Sequence, residues 1–237
     1  MTLVIAHRGA SGYELENTLA AFRRASSMGA AGVELDVHST ADGQIVVHHD
    51  GYISGKPINT TTLEDLREIT LADGEPVPTL AEALNAIEGT AYIELKTLAK
   101  SADEELFRVI DESARGGAAA SPEILSEHRS VRPSAHIHSF EHRLVRRLQG
   151  QRSDLTYGAL SVAIPVHPEN NWRDARVTEV WQHEETVNRE FVELAHSREC
   201  KVFAWTTDDP VRMVELRDMG VDGICTNKPD VGLKCLK

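Results

Sequence analysis

Glu34-Leu35-Asp36-Val37-His38-Ser39-Thr40-Ala41-Asp42-Gly43-Gln44-Ile45-Val46-Val47-His48-His49-Asp50 decides how the chain is read. It runs as a buried strand through Val37, a tight turn at Asp42-Gly43, and a second apolar strand ending in His48-His49-Asp50. Side chains alternate faces along a strand, so Glu34 and Asp36 share one face and Val33, Leu35 and Val37 take the other. Two neighbouring carboxylates repel each other unless a cation lies between them. The stretch therefore reads as half of a metal site, with His49 delivered by the returning strand. His38 and His48 are assigned to the side facing away from it. The plainer alternative is an exposed acidic pair on an edge strand, and the flanking apolar residues count against it.

Further strands are expected on either side of this hairpin. They fall at residues 3–6, 32–37, 91–96, 135–140, 155–160, 177–181, 202–205 and 223–226. Helical spacing separates them. Leu19, Phe22, Ala25 and Met28 form one apolar stripe, and Gly29 closes that helix. Thr62 with Asp65 and Thr79 with Glu82 are N-terminal capping signals. Asp209-Pro210 opens a late helix and Gly220 ends it. Residues 51–61 and 165–173 read as loops, and 116–132 as a long loop containing a short element. Eight strands alternating with helices, with no linker or break in composition, predict a (β/α)8 TIM barrel. It spans residues 1–237 as one domain with a short insertion after strand 2. An open doubly wound sheet is the competing arrangement.

Charge narrows the function. Acids outnumber bases 37 to 25, a formal net charge of −12, so nucleic acid and anionic membranes are poor partners. No apolar run approaches the roughly 20 residues needed to cross a bilayer. The start of the chain lacks the basic and apolar regions of a signal peptide. Cys200, Cys225 and Cys235 are odd in number and without metal-ligand spacing, which fits a reducing cytoplasm. No heptad or interface pattern assigns an oligomeric state.

A barrel of this kind places its chemistry at the C-terminal ends of its strands. Strand one ends in His7-Arg8-Gly9, strand three in Glu94-Leu95-Lys96 and strand seven in Trp205-Thr206. Glu34, Asp36 and Glu94 make an all-oxygen set that suits one divalent cation, Mg²⁺ or Ca²⁺. Arg8 and Lys96 add positive charge for a phosphate, and Trp205 can line the pocket. His7 and His49 can share the proton transfers. Taken singly, each residue has a structural explanation: a core histidine, a surface ion pair, a packed tryptophan. Asn17 and Thr18 sit where a helix cap belongs. The coincidence at successive strand ends is what favours chemistry. A rival metal signal, His136-Ile137-His138, stands at the end of the fourth strand, where amide and deamination hydrolases do not carry theirs.

These residues resemble the glycerophosphodiester phosphodiesterase family. The resemblance is carried by His7-Arg8-Gly9, Glu16-Asn17-Thr18, Gly32 through Val37, Asp42-Gly43, His49-Asp50, Pro78-Thr79-Leu80, Ile93 through Lys96, Ser139-Phe140, Trp205-Thr206 and Gly220 through Thr226. It implies a (β/α)8 barrel that hydrolyses deacylated phospholipid diesters, small-molecule substrates, to glycerol 3-phosphate and an alcohol with a divalent cation. It implies His7 and His49 as the acid–base pair, Glu34, Asp36 and Glu94 as metal ligands, and Arg8 and Lys96 as phosphate holders. The segment Gly51 through Ile58 is shorter than the family's and lacks its arginine, and Asn227 stands where an aspartate is common. Lysophospholipase D and sphingomyelinase D-like enzymes would use nearly the same residues on lipids. A non-catalytic phosphate- or metal-binding barrel is the alternative outside enzymology.

Overall fold

The computed structural model describes residues 1–115 and 134–236. The expected long loop at 116–132 lies outside the described residues. The strands are β1 (Leu3–His7), β2 (Gly32–Ser39), β3 (Ile45–Val47), β4 (Tyr52–Ile53), β5 (Lys56–Pro57), β6 (Thr90–Thr97), β7 (Ser134–Ser139), β8 (Thr156–Ser161), β9 (Glu179–His183), β10 (Lys201–Trp205) and β11 (Gly223–Thr226). The helices are α1 (Leu19–Met28), α2 (Leu63–Arg67), α3 (Leu80–Ala86), α4 (Asp103–Arg115), α5 (His142–Gln149), α6 (Pro168–Ala175), α7 (Arg189–Ser197), α8 (Pro210–Met219) and α9 (Pro229–Cys235).

β1, β2 and β6 through β11 pair in parallel, and β1 bonds to both β2 and β11. The sheet is thus closed, a (β/α)8 barrel, and the open doubly wound alternative is excluded. β3 lies antiparallel on β2, with Val37 opposite Val47. The turn between them falls where Gly43 takes a φ of 79°, the left-handed region that glycine enters without strain.

The alternation of β2 sorts its residues between two cores. Val33, Leu35 and Val37 pack outward with Phe22, Ala25 and Leu84 beneath the helices. Glu34 and Asp36 turn inward. Inside the barrel, Ile5, Tyr92, Leu160, Trp181, Phe203 and Cys225 form a separate buried cluster. Trp181 and Phe203 stack at 4.6 Å, which fills the barrel below its rim. Such large rings need small neighbours. A Cβ at Gly223 would stand 2.6 Å from Phe203, and one at Gly158 2.9 Å from Trp181.

The caps act locally as their sequence implies. Thr79 and Glu82 form both bonds of a capping box, Thr62 caps α2, and Gly29 and Gly220 close their helices in left-handed conformation. Two expected loops contain regular structure. Residues 51–61 hold the β4–β5 hairpin, turned by Ser54 and Gly55, both at positive φ. Residues 165–173 overlap α6, which Pro168 opens at its first turn and which buries Trp172 and Ala175. Its remaining polar face hid the helix from an apolar-stripe reading.

Candidate active site

The register of the parallel ladders gathers the inward side chains at one end of the barrel. His7 lies opposite Glu34 across β1–β2, Asp36 opposite Glu94 across β2–β6, and Glu94 opposite His138 across β6–β7. Neighbouring strand ends therefore bring these groups together from distant parts of the chain. A pocket of about 220 Å³ opens there, with His7, Arg8, Glu34, His49, Glu94 and Lys96 on its polar side. Phe140, Leu160 and Trp205 supply an apolar wall. A larger cleft of about 460 Å³ beside α6 is lined by Arg173, Arg176 and Arg198 and lacks paired imidazoles, so chemistry rather than size singles out the rim pocket.

Each histidine is oriented through its Nδ1. Asn227 Nδ2 donates to Asp208 Oδ2 at 3.0 Å, which turns Asn227 Oδ1 toward His7 Nδ1 at 2.8 Å. An amide oxygen only accepts, so His7 Nδ1 carries the hydrogen and Nε2 keeps the lone pair. His7 Nε2 is 4.0 Å from Glu34 Oε2. Burial, then Arg8, holds the His7 pKa below its ordinary 6.5. His49 Nδ1 donates to Asp50 Oδ1 at 2.8 Å, which again leaves the lone pair on Nε2.

The bases are fixed by acids. Arg8 Nε and Lys96 Nζ each lie 3.1 Å from an oxygen of the fully buried Asp36. Asn17 donates to Asp36 Oδ2 at 2.8 Å, and its own carbonyl accepts the Asp36 N–H at 3.2 Å. Burial alone would raise the Asp36 pKa, but Lys96, Arg8 and Asn17 outweigh it and hold the carboxyl ionised. Arg8 also grips Glu16, with Nη1 at 2.8 Å and 3.0 Å from its two oxygens. Lys96 Nζ lies 2.6 Å from Glu94 Oε1.

Glu34 and Glu94 behave differently. Burial and then the Asp36 charge push Glu94 up to about 7, and the same two causes raise Glu34 well above the carboxylate range. Glu34 Oε2 accepts only the Arg8 backbone N–H, at 3.0 Å, among the described residues. Burial and the Asp36 charge thus favour the protonated forms of Glu34 and Glu94, and keeping both ionised beside Asp36 requires positive charge beyond Arg8 and Lys96. A divalent cation meets that requirement, and the donor types present suit one.

His138 is the residue that sequence reasoning undervalued. It is 1 % exposed, and neither ring nitrogen has a hydrogen-bond partner among the described residues. One donor atom from each of Glu34, Glu94 and His138 lies within 4.8 Å of the others. Burial drives the His138 pKa down to about 3, so the ring is neutral. The rival His136–His138 pair is divided: His136 Nδ1 bonds Glu179 Oε1 at 2.8 Å, deeper in the barrel. The i, i+2 spacing to His136 was visible in sequence, but nothing there showed which ring would meet the acids.

Two further assignments change. Thr18 caps α1, whereas Asn17 holds Asp36 instead of capping. His38, read as facing away, sits against the site: its Nε2 lies 3.2 Å from the His49 carbonyl and its Nδ1 2.8 Å from Thr97 Oγ1. It fixes the backbone that carries His49. Trp205 meets Phe140 edge-on at 5.4 Å, and the Lys96 ammonium stands 5.9 Å from the Phe140 ring centre.

Fold and rim together make a closed (β/α)8 barrel with a charged, imidazole-bearing pocket at one end of its strands. The profile of the glycerophosphoryl diester phosphodiesterase family matches residues 7–231. A glycerophosphodiester phosphodiesterase of Caldanaerobacter subterraneus subsp. tengcongensis is 33 % identical over 250 aligned positions, covering 97 % of this chain and 95 % of its own. The structure of an Oleispira antarctica phosphodiesterase in complex with the product sn-glycerol-3-phosphate superposes with a TM-score of 0.83 at 25 % identity, covering 100 % of this chain and 97 % of that one. A glycerophosphodiester phosphodiesterase from Parabacteroides distasonis superposes with a TM-score of 0.81 at 26 % identity, covering 99 % and 96 %. The chain belongs to the glycerophosphoryl diester phosphodiesterase family.

Proposed function

We propose that this chain, acting as one catalytic unit over residues 1–237, hydrolyses small glycerophosphodiesters to glycerol 3-phosphate and an alcohol in a cation-dependent reaction. The observation that carries the reading is that His7 and His49 line one pocket with Nδ1 engaged in each, beside Glu34, Glu94, Arg8 and Lys96. The similarity to a phosphodiesterase whose structure contains sn-glycerol-3-phosphate supports the choice of substrate class.

Glu34 and Glu94 would hold the cation, and carboxylates alone would select Mg²⁺ or Ca²⁺. Asp36, assigned to the same ion by the family pattern, would bind it through a lone pair left beside its contacts with Lys96 and Arg8. When bound, the ion supplies positive charge that offsets the phosphate oxygens and the charge that builds in the transition state. Arg8 and Lys96 orient the phosphate. One of His7 and His49 takes the proton of the attacking hydroxyl, and the other gives a proton to the departing oxygen. Trp205 and Phe140 provide an apolar shelf for the rest of the substrate.

No helix among the described residues is long and apolar enough to cross a membrane. The acidic surface and three free thiols fit a cytoplasmic enzyme acting on free diesters, with no stable membrane association. His7→Ala and His49→Ala should each lower kcat at least about 100-fold. Near-normal turnover by either variant would remove that histidine from the reaction.

A further inference from the structure

We propose that His138 is a direct nitrogen ligand of the rim cation, making this a mixed oxygen–nitrogen site selective for a first-row transition ion such as Mn²⁺ or Co²⁺ over Ca²⁺. The inference rests on the cation-dependent reading above and goes beyond it by naming a ligand and a class of metal. Three observations carry it. The donor atoms of Glu34, Glu94 and His138 converge within 4.8 Å from three adjacent strands. Both nitrogens of His138 are buried and without a hydrogen-bond partner among the described residues, although a buried polar group normally finds one. The ring is also held in place, its centre 4.3 Å from that of Trp181, with its Cβ 3.1 Å from where a Cβ on Gly158 would lie.

The first shell follows from these contacts. Asp36 faces both Arg8 and Lys96, Glu94 faces Lys96 alone, and Glu34 forms no ion pair with either, so the carboxylates least engaged by these bases are Glu34 and Glu94. A neutral imidazole beside them changes the donor set. Ca²⁺ and Mg²⁺ prefer oxygen alone, whereas imidazole suits transition ions, whose affinity for nitrogen donors is higher. A packed ring also loses little freedom on binding.

Pulsed electron paramagnetic resonance on the Mn²⁺-loaded protein, with metal affinities by calorimetry, tests this without recourse to turnover. The wild-type protein should show nitrogen modulation from a coordinated imidazole. His138→Phe, which keeps a ring against Trp181 but offers no nitrogen, should lose that signal, and so should His138→Gln. His7→Gln and His49→Gln should retain it. In the His138 variants the Kd for Mn²⁺ should rise at least about tenfold while that for Ca²⁺ changes much less. Wild-type Mn²⁺ protein without nitrogen modulation would overturn the inference, as would a folded His138 variant that keeps the signal. In either case tight binding of the ion would leave the cation-dependent reading intact. Failure of the wild-type protein to bind either Mn²⁺ or Ca²⁺ would defeat both.

Discussion

Asn227 Oδ1 lies 2.8 Å from His7 Nδ1, and this contact decides which nitrogen of the imidazole keeps its lone pair in the pocket. Asp208 holds the amide from behind, through both its backbone N–H and its Nδ2. A residue from the last strand end thus positions one from the first, across the closure of the barrel.

Loss of that acceptor should act on rate more than on binding. Asn227→Ala is expected to lower kcat at least about tenfold with little change in KM. Asn227→Asp, which offers an acceptor to Nδ1 but gives up the donor to Asp208, should retain more activity than Asn227→Ala. Burial and Arg8 depress the His7 pKa, so its neutral form persists below pH 6.5. The acidic limb of the wild-type kcat/KM profile should accordingly fall below that value. Steady-state kinetics across pH on the three proteins checks each statement.

Asp36 anchors Arg8 and Lys96 from its two oxygens. Asp36→Asn removes the charge both bases face and frees them to move. KM for the diester should rise about tenfold or more, together with a lower melting temperature. An unchanged KM in a folded variant would mean that the bases do not depend on Asp36 for their placement.

Much of this arrangement was legible from the chain. The eight barrel strands, the hairpin on β2, the Thr62 cap of α2 and the capping box of α3 all followed from alternation, helical spacing and short-range hydrogen-bond chemistry. Glu34, Asp36, Glu94 and Lys96 were readable because each alternates with apolar neighbours. Asn227 and His138 were harder to read, since what they face depends on register between strands far apart in sequence. Asn17 was mistaken for a cap because a cap does stand there, one residue later, at Thr18. α6 was missed because it buries little beyond Trp172 and Ala175.

The capping box of α3 gives a stability prediction. Thr79→Ala should cost about 1 kcal/mol at neutral pH. The Glu82 pKa is held below its ordinary 4.5: burial opposes this, but bonds from Thr79 and the Arg67 pairing prevail. A carboxyl with a depressed folded-state pKa stabilises fully above its unfolded value and loses that contribution as pH falls through the folded one. The difference in stability between wild type and Glu82→Gln should therefore shrink below about pH 4.5. Urea unfolding at several pH values measures it.

Gly158 leaves room for Trp181 on the next strand. Gly158→Val should destabilise the barrel by about 1–3 kcal/mol through overpacking. It should also weaken cation binding, because a side chain there presses on His138 as well. Thermal unfolding and metal titration of the same variant test the two effects together.

Phosphorus NMR of glycerophosphocholine hydrolysis, by protein stripped with EDTA and then reloaded, tests the central claim most directly. A glycerol 3-phosphate resonance should grow only after a divalent cation is restored, and lysophosphatidylcholine should react far more slowly under the same conditions. Equal hydrolysis by the stripped protein, or no product from any glycerophosphodiester with the cation present, would contradict the account.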